Sequence, residues 1–231
     1  MKKGFVQTKS VQKFISTMGS LNGRGDGVPG MALVFGEPGL GKTRTALWYT
    51  NQDGHMGSGA VFLRTKKLMT GRWLLEELVA ELGEAPAWKT ADLFRQAVDQ
   101  LMGRPRLVMI DEVDYLAYDA RVIETLRDLH DITGAPFVFI GMDRADQKLR
   151  RYRHLYDRFS EILKFKPLDK DDVKKVAAEM TDIQFDAGAI DWLTERTQGM
   201  IRQLIIALHR AERVARARGL KQITAGDLAG K

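Results

Sequence analysis

Several short runs of this chain are apolar without interruption: LVF at residues 33–35, LVMI at 107–110 and FVFI at 137–140, with AVFL at 60–63 close to the same type. Runs of this length with no polar alternation are what strands buried on both faces look like. Between them the period changes to that of a helix. RWLLEELVAELG, TADLFRQAVDQLMG and ARVIETLRDLHDITG space their leucines and isoleucines three and four apart, and the last ends on a glycine stop. Strand and helix therefore alternate, which predicts an α/β fold, a parallel sheet sandwiched by helices. KFKPL at 164–168 is expected to be the last short strand. Beyond it DKDDVKKVAAEM, FDAGAIDWLTERTQ, MIRQLIIALHRAERVARARG and TAGDL all read as helices, the last opened by a Thr cap. The expected organisation is a lead-in segment at 1–30 holding one amphipathic helix, an α/β core at 31–167 and a small all-helical lid domain at 168–231.

The first apolar run is followed by GEPGLGKT and then by a helical pattern. Gly36, Gly41, Lys42 and Thr43 satisfy the phosphate-loop spacing known as Walker A, in the strand, loop, helix context the motif needs. Such a loop turns successive backbone N–H groups toward a polyphosphate, which favours glycines such as Gly39 and Gly41. Lys42 at the helix start places a cation by the β and γ phosphates, and the helix N-terminus adds partial positive charge. The Thr43 hydroxyl is suited to Mg²⁺. Glu37, Pro38, Leu40 and Arg44 complete the expected lining of the ATP site.

The run at 107–110 delivers Asp111 and Glu112 to its carboxyl end, where open α/β sheets bind their ligands. This is the Walker B position. Asp111 is placed to hold Mg²⁺ and Glu112 to orient and polarise the water that attacks the γ phosphate. Together the two motifs predict an Mg²⁺-dependent ATPase.

The chain has 231 residues, 44% of them hydrophobic, enough for one domain and a small appendage. With no cysteine it has no disulfide, thiolate zinc site or cysteine nucleophile, and its four histidines show no metalloprotease spacing. No run is long and apolar enough to span a bilayer, and the lysines near the start precede no apolar stretch, so neither a signal peptide nor a membrane association is expected. A net charge of +6 and a pI near 9.5 favour a polyanionic partner. Basic residues cluster in RTKKLMTGRW, RADQKLRRYRHLYDR and HRAERVARARGLK.

The order of phosphate loop, Asp-Glu strand, a further strand and a helical domain resembles the AAA+ ATPases over nearly the whole chain. Two more motifs support the resemblance. In TQGMIRQLIIAL, Gly199 and Arg202 resemble the sensor-2 motif, whose arginine would reach the γ phosphate. In YDRFSEI, Arg158 resembles an arginine finger offered to a neighbouring subunit, which implies a homo-oligomer, a ring or a filament; Arg151 and Arg153 compete for that role. At sensor 1 the family places Asn, Thr or Ser, whereas here Met142 and Asp143 stand, so either Asp143 substitutes or the sensor is degenerate.

Within the family, the short form, GEPGLGKT, IDEVDYL and the basic character resemble the MuB-type transposition ATPases of Mu-like phages, with TnsC- and IstB-type helpers as relatives. That resemblance implies ATP-driven assembly on double-stranded DNA and delivery of the coated DNA to a transposase. The setting would be the cytoplasm, the host bacterial cytoplasm if the chain is phage-encoded. The phosphate loop lies too near the start for the helix-turn-helix appendage that MuB carries to be expected. Lys66, Lys67 and Arg72, then Arg150 and Arg151, are the expected contacts to DNA phosphates. Loading of a replicative helicase or replication initiation is the alternative AAA+ role. A small-molecule kinase and a nucleotide-gated assembly protein with little turnover are the rivals from other classes.

Overall fold

The computed structural model of the chain describes residues 2, 4–52 and 59–229. Two compact units divide it: Phe14–Gly36 with Lys42–Lys164, and Met1–Lys13 with Glu37–Gly41 and Phe165–Lys231. The chain opens with helix α1 (Lys9–Asn22). The first unit then builds a five-stranded parallel sheet from β1 (Met31–Phe35), β2 (Val61–Arg64), β3 (Val108–Asp111), β4 (Phe137–Ile140) and β5 (Phe159–Lys164), in the order β2-β3-β4-β1-β5. Helices α2 (Lys42–Thr50), α3 (Gly71–Glu81), α4 (Thr90–Gly103) and α5 (Ala120–Thr133) supply the crossovers, and the short α6 (Asp143–Leu149) and α7 (Arg153–Tyr156) lead into β5.

The uniformly apolar runs became β3 and β4, buried at every position. Their side chains join Met31, Leu33, Leu74, Leu78, Leu126 and Leu129 in one core. The last strand differs from the expectation. It is 159–164 rather than 164–168, and its residues alternate between buried and exposed because β5 is an edge strand, paired only with β1. Ser160 and Lys164 stand on its outward side with the exposed Ile162, and Glu161 interrupts the inward side, which hides the strand from a search for continuous apolar runs.

The second unit packs α8 (Lys170–Met180), α9 (Ala187–Thr197), α10 (Ile201–Arg218) and α11 (Ala225–Leu228), with Leu168, Val173, Val176, Leu193, Leu204 and Leu208 at its centre. It is not purely helical. Two-residue strands β6 (Gln184–Phe185) and β7 (Gln222–Ile223) pair in parallel and tie the ends of the unit together. The expected segment at 1–30 divides between the units. The Lys9 N–H donates to Asp172 (3.0 Å) and its ammonium pairs with Asp169 and Asp171, whereas Phe14 packs edge-on against Tyr49 at 5.7 Å. Among the described residues no helix is long and apolar enough to cross a membrane.

Two features make the fold testable. Gly199 takes the left-handed conformation (φ 69°) where the turn into α10 passes Leu168, and a Cβ there would lie 2.4 Å from the Leu168 carbonyl oxygen. Gly219, at the end of α10, is also left-handed (φ 65°) but faces open space. Gly219→Ala is therefore expected to cost about 1 kcal/mol, and Gly199→Ala at least about 2 kcal/mol. Urea unfolding of the two variants measures the difference, and equal losses would mean that the Leu168 approach carries no energy. His130 accepts the Gly30 N–H at Nε2 (3.2 Å) and donates from Nδ1 to Ala135 O (2.8 Å), an arrangement only the neutral ring can make. Burial lowers its pKa below the ordinary value. The unfolded chain therefore takes up this proton first on acidification. Its stabilisation is complete above the unfolded-state pKa and is lost as pH falls through the folded one. Denaturant midpoints at pH 7 and pH 5 should fall more steeply for the wild type than for His130→Gln.

Candidate active site

β1 and β3 are not neighbours. β4 lies between them, so the phosphate loop after β1 and the acids after β3 are brought together only by side chains reaching across its end. Lys42 is almost fully buried at the start of α2, and its ammonium donates to the Gly36 carbonyl at 2.7 Å. The Thr43 hydroxyl donates to Asp111 Oδ2 at 2.7 Å. Gly39 and Gly41 hold φ of 87° and 92°. At Gly41 a Cβ would meet Ile201 at 3.3 Å, so the loop's course needs glycine there for both conformation and space. Along the rest of the loop, Glu37 and Pro38 are exposed and Leu40 is buried, and Arg44 beyond it is exposed.

Asp111 is 2% exposed, and burial raises its pKa, opposed by the Thr43 hydrogen bond. A hydroxyl and a carboxylate in contact are the hard oxygen ligands that Mg²⁺ uses when substrate phosphates and water complete its shell, so the pair fits that ion. Glu112 follows in the left-handed region (φ 57°, ψ 34°), a conformation that costs a non-glycine residue about 1 kcal/mol or more. The Thr65 hydroxyl holds its carbonyl at 2.6 Å. Its carboxylate is gripped by Arg64, with Nη2 at 2.5 Å and Nε at 3.2 Å from Oε1. Sequence reasoning missed Arg64. The available signal was register: β2 and β3 run parallel with Arg64 opposite Asp111, which sets the arginine beside the next residue.

Met142 and Asp143, at the position expected of sensor 1, follow β4. The Met142 N–H donates to Asp114 Oδ2 at 2.7 Å, while the methionine side chain is exposed. Asp143 opens α6 and pairs with Lys164 at 3.4 Å. Asp114, 4% exposed, is a second residue that sequence reasoning did not select. Arg202 belongs to the second unit together with Glu37–Gly41, and its backbone N–H donates to Gly39 O at 3.2 Å. Arg158 forms a fork with Asp131 of α5, at 2.9 and 3.0 Å. That fork lines a cavity of about 660 Å³ with Arg24, Asp26 and His130. Arg151 and Arg153 are exposed, and neither forms an ion pair among the described residues.

The residues expected at DNA are largely tied to other groups. Lys66 pairs with Glu77 and lies over the Trp73 ring. Arg72 pairs with Glu76 at 2.8 Å and stacks on Trp88, and Arg150 pairs with Asp146 at 3.1 Å and stacks on Tyr156. Lys67 and Arg151 are exposed.

Known proteins share parts of this geometry. The chain is 30% identical over 183 residues to the ATP-dependent target DNA activator B of Escherichia phage Mu, and equally to that of Escherichia phage D108. The match covers 75% of this chain and 55% of each relative, so the chain spans about half the length of the curated relatives it matches. In fold it is similar to the ADP form of the Aeropyrum pernix ORC2 protein, with a TM-score of 0.71 at 17% identity over 99% of this chain and 68% of that one. The model described as AAA domain matches residues 26–149, more than half the chain and the stretch that holds the phosphate loop, Arg64, Asp111 and Glu112. The parallel sheet, the loop after β1 and the acids after β3 thus have a common origin: the chain belongs to the AAA domain family.

Proposed function

We propose that this chain is an ATP-dependent DNA-binding ATPase that binds duplex DNA without sequence preference, oligomerises on it as a helical filament and delivers it to a transposase, with hydrolysis driving disassembly. The observation that carries the reading is the Thr43–Asp111 contact with Glu112 beside it, in a chain whose relatives are named ATP-dependent target DNA activators. In this reading residues 31–167 are the ATPase core and residues 168–231 are the lid.

Lys42 leaves the Gly36 carbonyl for the β and γ phosphates, and the backbone of Glu37–Gly41 wraps the polyphosphate. Thr43 and Asp111 would hold Mg²⁺, which would supply neutralisation of charge on the phosphates. Glu112 takes up the proton of the attacking water. Its grip by Arg64 withholds it from that task, so turnover depends on the arginine letting go. Arg202, already bonded through its backbone to Gly39, reads the phosphates from the lid. A trans role for Arg158 requires its fork with Asp131 to open, which makes hydrolysis conditional on assembly.

Two variants separate binding from turnover. Lys42→Ala should lose ATP binding and all ATP-dependent assembly, and normal nucleotide affinity in it would remove the phosphate-loop assignment. Glu112→Gln should keep ATP affinity and lose turnover by about 100-fold or more. Co-sedimentation with random-sequence duplex should then show a DNA-bound oligomer that persists after wild-type complexes have dispersed. Wild-type turnover in this variant would take Glu112 out of the mechanism, and dispersal at the wild-type rate would detach disassembly from hydrolysis.

A further inference from the structure

Of the basic residues that the sequence put forward for DNA, Lys66, Arg72 and Arg150 are neutralised by adjacent carboxylates. The outward face of α10 is different. Arg202, Ile206, Arg210, Arg213 and Arg216 are all exposed and, at 100° per residue, fall within an arc of about 120°. The helix's single acid, Glu212, falls about 40° outside that arc, one turn before Arg216, and is only 5% exposed. Arg218, outside the arc, pairs with Asp227. Among the described residues Arg210, Arg213 and Arg216 form no ion pair.

Helix energetics do not account for this stripe. Cations in the last turn offset the helix dipole, which suits Arg216 and Arg218, but the effect fades within one turn and Arg210 and Arg213 lie further in. Like charges three apart also repel, a cost that a polyanion lying along the row would relieve. From Arg210 to Arg216 the helix rises about 9 Å, a distance over which one strand of a duplex presents two or three phosphates. A protein interface of this size would be expected to carry aromatic or aliphatic anchors, whereas the face offers Ile206 alone.

We propose that the outward face of α10, centred on Arg210, Arg213 and Arg216, binds the phosphodiester backbone of duplex DNA. The inference rests on the DNA-binding reading above and names a surface for it. Guanidinium forks on phosphates carry no base readout, which matches binding without sequence choice. Because Arg202, whose backbone bonds Gly39, stands in the first turn of α10, one helix joins the proposed DNA face to residues 37–41 of the loop within the same unit.

The test is fluorescence anisotropy of a random-sequence duplex with the full chain and ATP, from about 50 to 300 mM salt. The variant Arg210→Gln/Arg213→Gln/Arg216→Gln should bind at least tenfold more weakly. Its plot of log affinity against log salt should be shallower by up to about 2.7, at 0.9 for each phosphate no longer neutralised. Its ATP affinity should equal that of the wild type, and the triple Arg→Lys variant should retain most of the DNA affinity. Should the triple Gln variant lose its cooperative thermal transition, Arg213→Gln alone carries the test, with an expected slope change of about 0.9. Unchanged affinity and slope would overturn the proposal. So would unchanged DNA binding with loss of poly-L-glutamate binding, which would assign the face to an acidic protein. A wild type that binds no duplex at all would instead remove the DNA reading itself, and this surface with it.

Discussion

The contact between the Thr43 hydroxyl and the Asp111 carboxylate spans the end of β4 and joins two strands that do not touch. Much of the site depends on it. It fixes the start of α2 against β3, and it sets the two oxygens proposed to hold Mg²⁺ at hydrogen-bond distance. It also holds a carboxylate that burial alone would push toward its neutral form. Sheet order makes this geometry possible, because β4 and its short turn leave a gap one strand wide that only side chains can close. Gly141 keeps that gap narrow: its N–H donates to Val34 O at 2.9 Å, and a Cβ at this position would lie 2.8 Å from Asp114 Oδ2.

Asp114, Arg64 and Asp131 share a role, each holding a group that the sequence motifs place in the chemistry or near it. Asp114 bonds the backbone of Met142, Arg64 grips Glu112, and Asp131 forks Arg158. The consequence is a resting state in which both the proposed base and the proposed trans arginine are engaged within their own chain. Partly exposed ion pairs such as Arg64–Glu112 gain little net stability, so a polyanion that competes for that arginine has little to displace, whereas the two-point Arg158–Asp131 fork is the stronger hold.

The phosphate loop and the Asp-Glu strand end were legible in the sequence because each couples a rare spacing to an uninterrupted apolar run. The helices TADLFRQAVDQLMG and ARVIETLRDLHDIT were legible because one face of each is apolar at helical period. β5 lies earlier than its expected place because an edge strand alternates, and β6 and β7 escape detection because two residues carry no period. Ion pairing was hidden for a different reason. Whether Arg72 or Arg213 keeps its charge available depends on which carboxylate stands across a turn of helix or a strand end, and a count of basic residues weighs the two alike. The α10 row therefore emerges only when partners are assigned.

At the centre of the proposed function is a γ phosphate, held by this loop, that builds a polymer on DNA. Negative-stain imaging of the chain with random-sequence duplex, first with ATP and then with ADP, tests it most directly. Continuous protein-coated filaments are expected with ATP and bare DNA with ADP. Closed rings, or particles that ignore the DNA in both nucleotide states, would contradict it.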